Sequence, residues 1–226
     1  MNKIIIAFLV CFTPFLGAQD AKAVQELKQK VMASLPTLEG WCSKEKAAAF
    51  IDLVIEVKPG TCVEVGVFGG SSVFPVASAL KFLDHGVIIA IDPWDKIETI
   101  KYFDPVEDKV NLNWWGKLNF DYIYNSYLKM VKKFELERFV QTIKATSEIA
   151  AFQVGEIDIL HLDGNFTEEI SKLDAMIYTP KVRSGGYIWI NDALSAKRQD
   201  AIEILEESCD AVKVIDNGNC ILYKKR

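Results

Sequence analysis

Between Thr61 and Ser72 the chain reads TCVEVGVFGGSS. An apolar run, Cys62, Val63 and Val65, carries an acid at Glu64 and breaks into glycines at Gly66, Gly69 and Gly70. The hydroxyls of Ser71 and Ser72 follow, and Val73, Val76, Ala77 and Leu80 then recur at helical spacing. The order is strand, glycine turn, helix. Glycines let a ligand approach the backbone closely, and the helix N-terminus presents free N–H groups with a partial positive charge. The spacing E-x-G-x-x-x-G differs from the G-x-G-x-x-G that wraps a pyrophosphate. An acid beside the turn repels a phosphate and attracts an ammonium, which favours a zwitterionic, amino-acid-bearing ligand over a dinucleotide. Taken alone, the stretch is equally an ordinary strand–helix turn without a ligand.

Further short apolar runs also end in acids. Val87 to Ile91 is followed by Asp92-Pro93-Trp94, Ile157 to Leu162 by Asp163-Gly164-Asn165, and YIWI by Asn191-Asp192. Such runs read as strands buried on both faces of a parallel sheet. Ligands bind such sheets beyond the carboxyl ends of the strands. A carboxylate at Asp92 can accept both hydroxyls of a ribose, though a turn aspartate is the commoner reason for the residue. Phe139 to Ile143 reads as another strand, Ser184-Gly185-Gly186 as the turn into YIWI, and Asp95 to Lys117 as a long irregular segment. Its aromatics, Tyr102, Phe103, Trp114 and Trp115, make it either a substrate wall or a surface insertion. Helices are expected over Ala21 to Ser34, Lys44 to Val57 with Ser43 as cap, Phe120 to Phe134, from Thr146 onward, Phe166 to Tyr178 and Ala196 to Glu207. Ala211 to Ile215 and Cys220 to Tyr223, joined by Asn217-Gly218, read as a terminal antiparallel hairpin.

The length suits one α/β domain. A net charge of −5 without a basic block argues against nucleic acid as the main partner. Met1 to Ala23 stands apart: Lys3, an apolar run from Ile4 to Leu16, and small residues at Gly17-Ala18 or Ala21-Lys22-Ala23 have the pattern of a secretory signal peptide. The run is short for a membrane span of about 20 residues. The expectation is a leader over residues 1–23, export of a domain over 24–226, and no stable membrane span in the mature chain. The alternative is an apolar first helix and a cytoplasmic protein. Cys42, Cys62, Cys209 and Cys220 have no C-x-x-C spacing, so no zinc site is expected.

In this order and spacing, VEVGVFGGSS, AIDPW, IDILHLDGN and GGYIWIND, closed by the hairpin, resemble the class I S-adenosylmethionine-dependent methyltransferases. The likeness runs from about Lys44 to the end. It is nearest the small O-methyltransferases of the catechol O-methyltransferase-like and macrocin O-methyltransferase-like types. The resemblance implies a Rossmann-like α/β fold: a seven-stranded, mostly parallel sheet with helices on both faces and one antiparallel strand from the C-terminal hairpin. It implies that Glu64, Gly66 and Gly70 hold the methionine part of S-adenosylmethionine, with Ser72 near its carboxylate. Asp92 would take the ribose, Trp94 would pack on the adenine, and Ser147 would meet its edge. Asp163, the catalytic candidate, would join Asn191 and Asp192 as oxygen donors to Mg²⁺; the same residues are equally strand-end turn formers.

The implied acceptor is a hydroxylated small molecule, and a homodimer is compatible with the family. One departure stands out. Many relatives read D-G-x-H after the fourth strand, where this chain has Phe166. His161 reads as a core histidine, His85 as a surface one, and the sequon at Asn165 as coincidence. A degenerate protein that binds the cofactor without turnover is therefore the second reading. A nicotinamide-dependent oxidoreductase is disfavoured by the missing glycine.

Overall fold

Strand alternation and helical stripes divide the apolar residues between the two faces of one central sheet. The computed structural model describes residues 18–226. In chain order it runs α1 (Ala18–Ser34), α2 (Lys44–Val57), β1 (Thr61–Val65), α3 (Val73–Leu83), β2 (Val87–Asp92), α4 (Lys96–Ile100), α5 (Lys109–Trp115) and α6 (Phe120–Lys133). It continues with β3 (Val140–Lys144), α7 (Ser147–Ala150), β4 (Ile157–Leu162), α8 (Glu168–Tyr178), β5 (Val182–Asn191), α9 (Gln199–Ser208), β6 (Cys209–Ile215) and β7 (Cys220–Lys225). The sheet order is β3-β2-β1-β4-β5-β7-β6. Among the described strands only β7 runs against its neighbours, pairing antiparallel with both β5 and β6. The seven-stranded sheet with one reversed strand is therefore as expected.

On β1, Cys62 packs into the layer with α1, α2, α3 and α6, while Val63 and Val65 point into the layer with α8 and α9. Ile88 and Ala90 against Ile89 and Ile91 divide β2 the same way. The chain winds outward in opposite directions from β1 and β4, and that reversal leaves a crevice at their carboxyl ends. Ser43 caps α2 as expected, its hydroxyl accepting the Lys46 N–H at 3.0 Å.

Three expectations change. Asp95 to Lys117 is not irregular throughout, since it holds α4 and α5. Both helices are too short to show a period, and local acids fix them: Asp95 accepts the Glu98 N–H, and the buried Asp108 pairs with Lys197. The Ser184-Gly185-Gly186 segment is not a turn before the strand but lies inside β5. There Gly185 takes φ +75°, and the pairing with β4 slips in register. The helix expected from Phe166 starts at Glu168, because Thr167 caps it. At the start of the chain, the expected leader boundary at Ala23 falls within α1, and residues 1–17 lie outside the described residues. Helix α1 belongs to the fold: Val24 and Val31 are buried, and Lys28 pairs with Asp52 at 2.5 Å.

A candidate active site at the carboxyl edge of the sheet

The crevice opens into a cavity of about 240 Å³. Of the expected residues, Gly66, Ser72, Asp92, Trp94, Ser147, Asp163, Asn191 and Asp192 line it, whereas Glu64 and Gly70 do not. Glu64 is fully buried, its carboxylate accepting from the Ser72 hydroxyl at 2.5 Å and facing His161 Nδ1 at 3.3 Å. Strand parity explains this. Glu64 and His161 are register partners on β1 and β4, so their side chains leave the sheet on the same face, towards α2. Glu64 therefore reaches the cavity only through Ser72. Gly70 serves packing, since a Cβ there would sit 2.7 Å from both Tyr127 and Met130. Gly66 is different. It lines the cavity at φ +86°, and a Cβ would meet the Asp163 carbonyl at 2.3 Å, so glycine lets the turns after β1 and β4 close on each other.

Asp92 anchors the glycine turn. Its Oδ2 accepts the Val67 and Phe68 N–H groups, each at 3.0 Å, and its Oδ1 accepts the Trp94 N–H at 2.7 Å. Burial pushes its carboxyl pKa up despite these bonds. Three of roughly four acceptor positions are filled, which leaves one on Oδ1 for a ligand hydroxyl. Trp94 is held rigidly, its ring donating to the Phe68 carbonyl at 2.7 Å and lying 5.0 Å from Tyr127. It is only 3 % exposed, so it forms a floor to the cavity. Ser147 begins α7, and its carbonyl accepts the Tyr178 hydroxyl at 2.7 Å.

Asp163 faces the cavity with its side chain 26 % exposed. Burial pushes its pKa up to about 6, against the lowering influence of His161 and Lys46. His161 is buried, as expected of a core histidine, yet its Nε2 lies 3.9 Å from Asp163. Asn191 Oδ1 is buried without a hydrogen-bond partner. Asp192 holds φ +56°, and its Oδ1 accepts from Asn219 at 3.1 Å.

The three expected metal donors do share one edge, but they do not fit a divalent cation well. One oxygen of Asp192 is engaged by Asn219, and the Lys46 ammonium lines the same cavity within Coulomb range of Asp163. A fixed ammonium repels a second cation in a medium of low dielectric. Among the described residues, no group of three or more His, Cys, Asp or Glu is placed to hold a metal. The expected cysteines are free thiols.

The family model described as a methyltransferase domain matches residues 63–193, more than half of the chain. The chain belongs to this methyltransferase family. No curated protein matches the sequence. Among solved structures, the methyltransferase resembles SAH-bound PaMTH1 of Podospora anserina, with 11% identity, 96% and 100% of the two chains covered, and a TM-score of 0.61. It also resembles the SAM-bound O-methyltransferase TomG of Streptomyces achromogenes, involved in tomaymycin synthesis, with 13% identity, 90% and 89% covered, and a TM-score of 0.59. The SAH-bound O-methyltransferase of Bacillus cereus aligns with 14% identity, 91% of each chain covered, and a TM-score of 0.55.

Several parts of the methyltransferase site lay outside the sequence expectations. One wall of the cavity is aromatic: Trp115 lies 6.0 Å from Phe166 and 5.8 Å from Phe68, and Phe68 lies 4.9 Å from Trp41. The aromatic content of 95–117 was a usable signal, whereas nothing pointed to Trp41 or Lys46 as wall residues. Arg198 is 2 % exposed and clamps the turn after β4, donating to the carbonyls of Gly164 and Asn165 and to Ser171 Oγ. Both ends of the Asn165 amide are hydrogen-bonded, to Thr99 and Thr167, which agrees with the sequon being incidental. His85 is exposed, as expected. No described helix is long and apolar enough to cross a membrane.

Proposed function

We propose that the chain transfers the methyl group of S-adenosylmethionine to a hydroxyl of a small molecule. The observation that carries this reading is that one cavity gathers the glycine turn, Asp92, Ser147 and the Asp163 carboxyl at the carboxyl edge of the sheet. The residues suit the cofactor. Ser71 and Ser72 stand at the N-terminus of α3, where a methionine carboxylate is favoured. Asp92 offers a remaining acceptor for a ribose hydroxyl, and Trp94 an aromatic floor. The Val67 and Phe68 amides are already taken by Asp92, so the turn is not free to cradle a pyrophosphate. The SAM and SAH named in the structures of similar fold support the same cofactor.

When bound, S-adenosylmethionine supplies an electrophilic methyl on a sulfonium. The chain's part is to position the acceptor oxygen and to take its proton. Asp163 is the base in this reading, because it is the carboxyl that faces the cavity at the end of β4. The aromatic wall offers a face to a flat acceptor.

Calorimetry with S-adenosylmethionine, followed by methyl transfer to a panel of catechols, phenols and sugars, tests the reading. Binding and transfer are expected. Transfer should fall as the pH drops through about 6, where Asp163 takes up its proton. The panel run with Mg²⁺ and then with chelator decides divalent assistance through Asp163, Asn191 and Asp192. Cofactor binding with no transfer to any acceptor would favour a non-catalytic binder, the reading that Phe166 motivates.

We also propose that residues 1–23 contain an export leader. Val24 is buried in α1, and cleavage after Ala18 or Ala23 would keep it. Protein recovered from its native cell should then start at Gln19 or Val24 by mass spectrometry. A chain starting at Met1 or Asn2 removes the export reading.

A further inference from the structure

Lys46 occupies the third position of α2, in the first turn, and is only 9 % exposed. Two influences oppose an ammonium there. Burial disfavours the charge, and the helix N-terminus carries partial positive charge that favours acids. The ammonium persists because carboxylates surround it: burial lowers the amine's pKa, but Asp163 and Asp216 among others raise it further, and the net shift is upward. A residue placed against local preference marks a position where something other than helix stability decides the choice.

Geometry says where the charge is aimed. Phe50, one turn further along α2, packs edge-on against His161 with ring centroids 5.0 Å apart. Lys46 lies four residues before Phe50 on the helix, and Asp163 lies two residues beyond His161 along β4 and its end. The two steps cover similar distances, about 6 Å on the helix and about 6.6 Å on the strand. Both side chains therefore arrive at the carboxyl edge, and both line the cavity. The ion pair of Lys46 with Asp216 is 3.7 Å long, beyond hydrogen-bond distance. Asp216 Oδ1 already accepts from Ser43 Oγ at 2.8 Å. The amine's protons are thus available to a ligand in the cavity.

We propose that Lys46 is a catalytic residue of the methyl transfer, its ammonium donating a hydrogen bond to the acceptor oxygen while Asp163 takes that oxygen's proton. The proposal rests on the methyl-transfer reading above. In the step, the O–H proton passes to the Asp163 carboxylate and the O–CH₃ bond forms. The S–CH₃ bond breaks with its electron pair going to sulfur, leaving a methyl ether and a neutral thioether. The negative charge developing on oxygen meets a fixed ammonium in a partly desolvated site, where such a contact is worth most. Lys46 thereby fills the electrostatic place that a divalent ion or the imidazole absent at Phe166 would otherwise hold.

The test uses the full chain and whichever acceptor of the catechol, phenol and sugar panel the unaltered protein methylates fastest. Lys46→Met should lower kcat by at least about a hundredfold, with affinity for S-adenosylmethionine within about threefold, and Lys46→Arg should recover part of the loss. Chelator should leave the unaltered protein's rate unchanged. Asp216→Asn should keep the rate within about threefold, because it removes the ion-pair partner and leaves the ammonium in the cavity. If Lys46→Met does not fold, Lys46→Gln takes its place. A Lys46 variant within threefold of the unaltered rate overturns the proposal, as does Asp216→Asn falling as far as Lys46→Met, since the lysine would then be structural. Loss of the unaltered protein's activity in chelator also overturns it. In each of those cases methyl transfer itself stands. No transfer by the unaltered protein, with cofactor bound, overturns that reading and this one together.

Discussion

Asp163→Asn should abolish methyl transfer while leaving the affinity for S-adenosylmethionine nearly intact. The carboxyl lies at the end of β4, faces the cavity, and has burial to hold its pKa near 6, so it is ionised at neutral pH yet basic enough to take a proton. An asparagine fills the same space and cannot be that base. General-base removal costs on the order of 10² to 10⁴ in rate, so a drop of at least a hundredfold is expected. The glycine turn, Asp92, Trp94 and Ser147 belong to other segments and should hold the cofactor in the variant. Calorimetry and a transfer assay on the same preparation separate the two effects. A variant that still turns over within tenfold of the unaltered protein would show that Asp163 is a turn former and not the base. One that loses the cofactor as well would move Asp163 into the binding site.

The residues that end strands were the most legible part of the site. β2 is short, unalternated and β-branched and ends at Asp92, and Asp163 follows directly on the apolar run of β4. The reversed seventh strand followed from a hairpin with Asn217-Gly218 at its turn. What stayed hidden depends on which way a side chain leaves the sheet, or on what lies across it. Glu64 looked like a ligand residue because of its neighbours in sequence, but the face it occupies carries it under α2 to His161 and Ser72. Nothing local in the sequence marks Lys46, and only the packing of α2 over β4 brings it to the cavity that Asp163 lines. Asp95 to Lys117 hid two helices because five and seven residues are too few to display a 3.6-residue period. Arg198 is a long-range clamp on the turn after β4, and no local pattern announces such a residue.

Asp92→Ala should damage both stability and cofactor affinity, and Asp92→Asn should separate the two. The family resemblance implies that Asp92 is a ribose ligand. In the structure it is first a bracket between β2 and the glycine turn, with one oxygen holding the Val67 and Phe68 amides and the other holding Trp94. Alanine strands three amides, those of Val67, Phe68 and Trp94, which costs about 2 kcal/mol where they are partly buried. For a chain of this size that lowers the melting midpoint by about 4 to 8 °C. The turn carries Gly66 and leads to the Ser71 and Ser72 hydroxyls, so affinity for S-adenosylmethionine should fall by about a hundredfold or more, roughly two charge-assisted contacts. Asparagine can place its carbonyl oxygen where Oδ2 now stands and keep both turn amides. Its amide nitrogen then faces Trp94 and cannot accept a hydroxyl. Its melting midpoint should stay within a few degrees of the unaltered protein, corresponding to about 1 kcal/mol, while affinity falls about tenfold. Thermal melts and calorimetry on the two variants read the roles apart. If Asp92→Ala melts with the unaltered protein, the bracket carries no weight. If Asp92→Asn binds the cofactor as the unaltered protein does, the free position on Oδ1 never meets a ribose hydroxyl, and Asp92 serves the cofactor only by holding the turn in place.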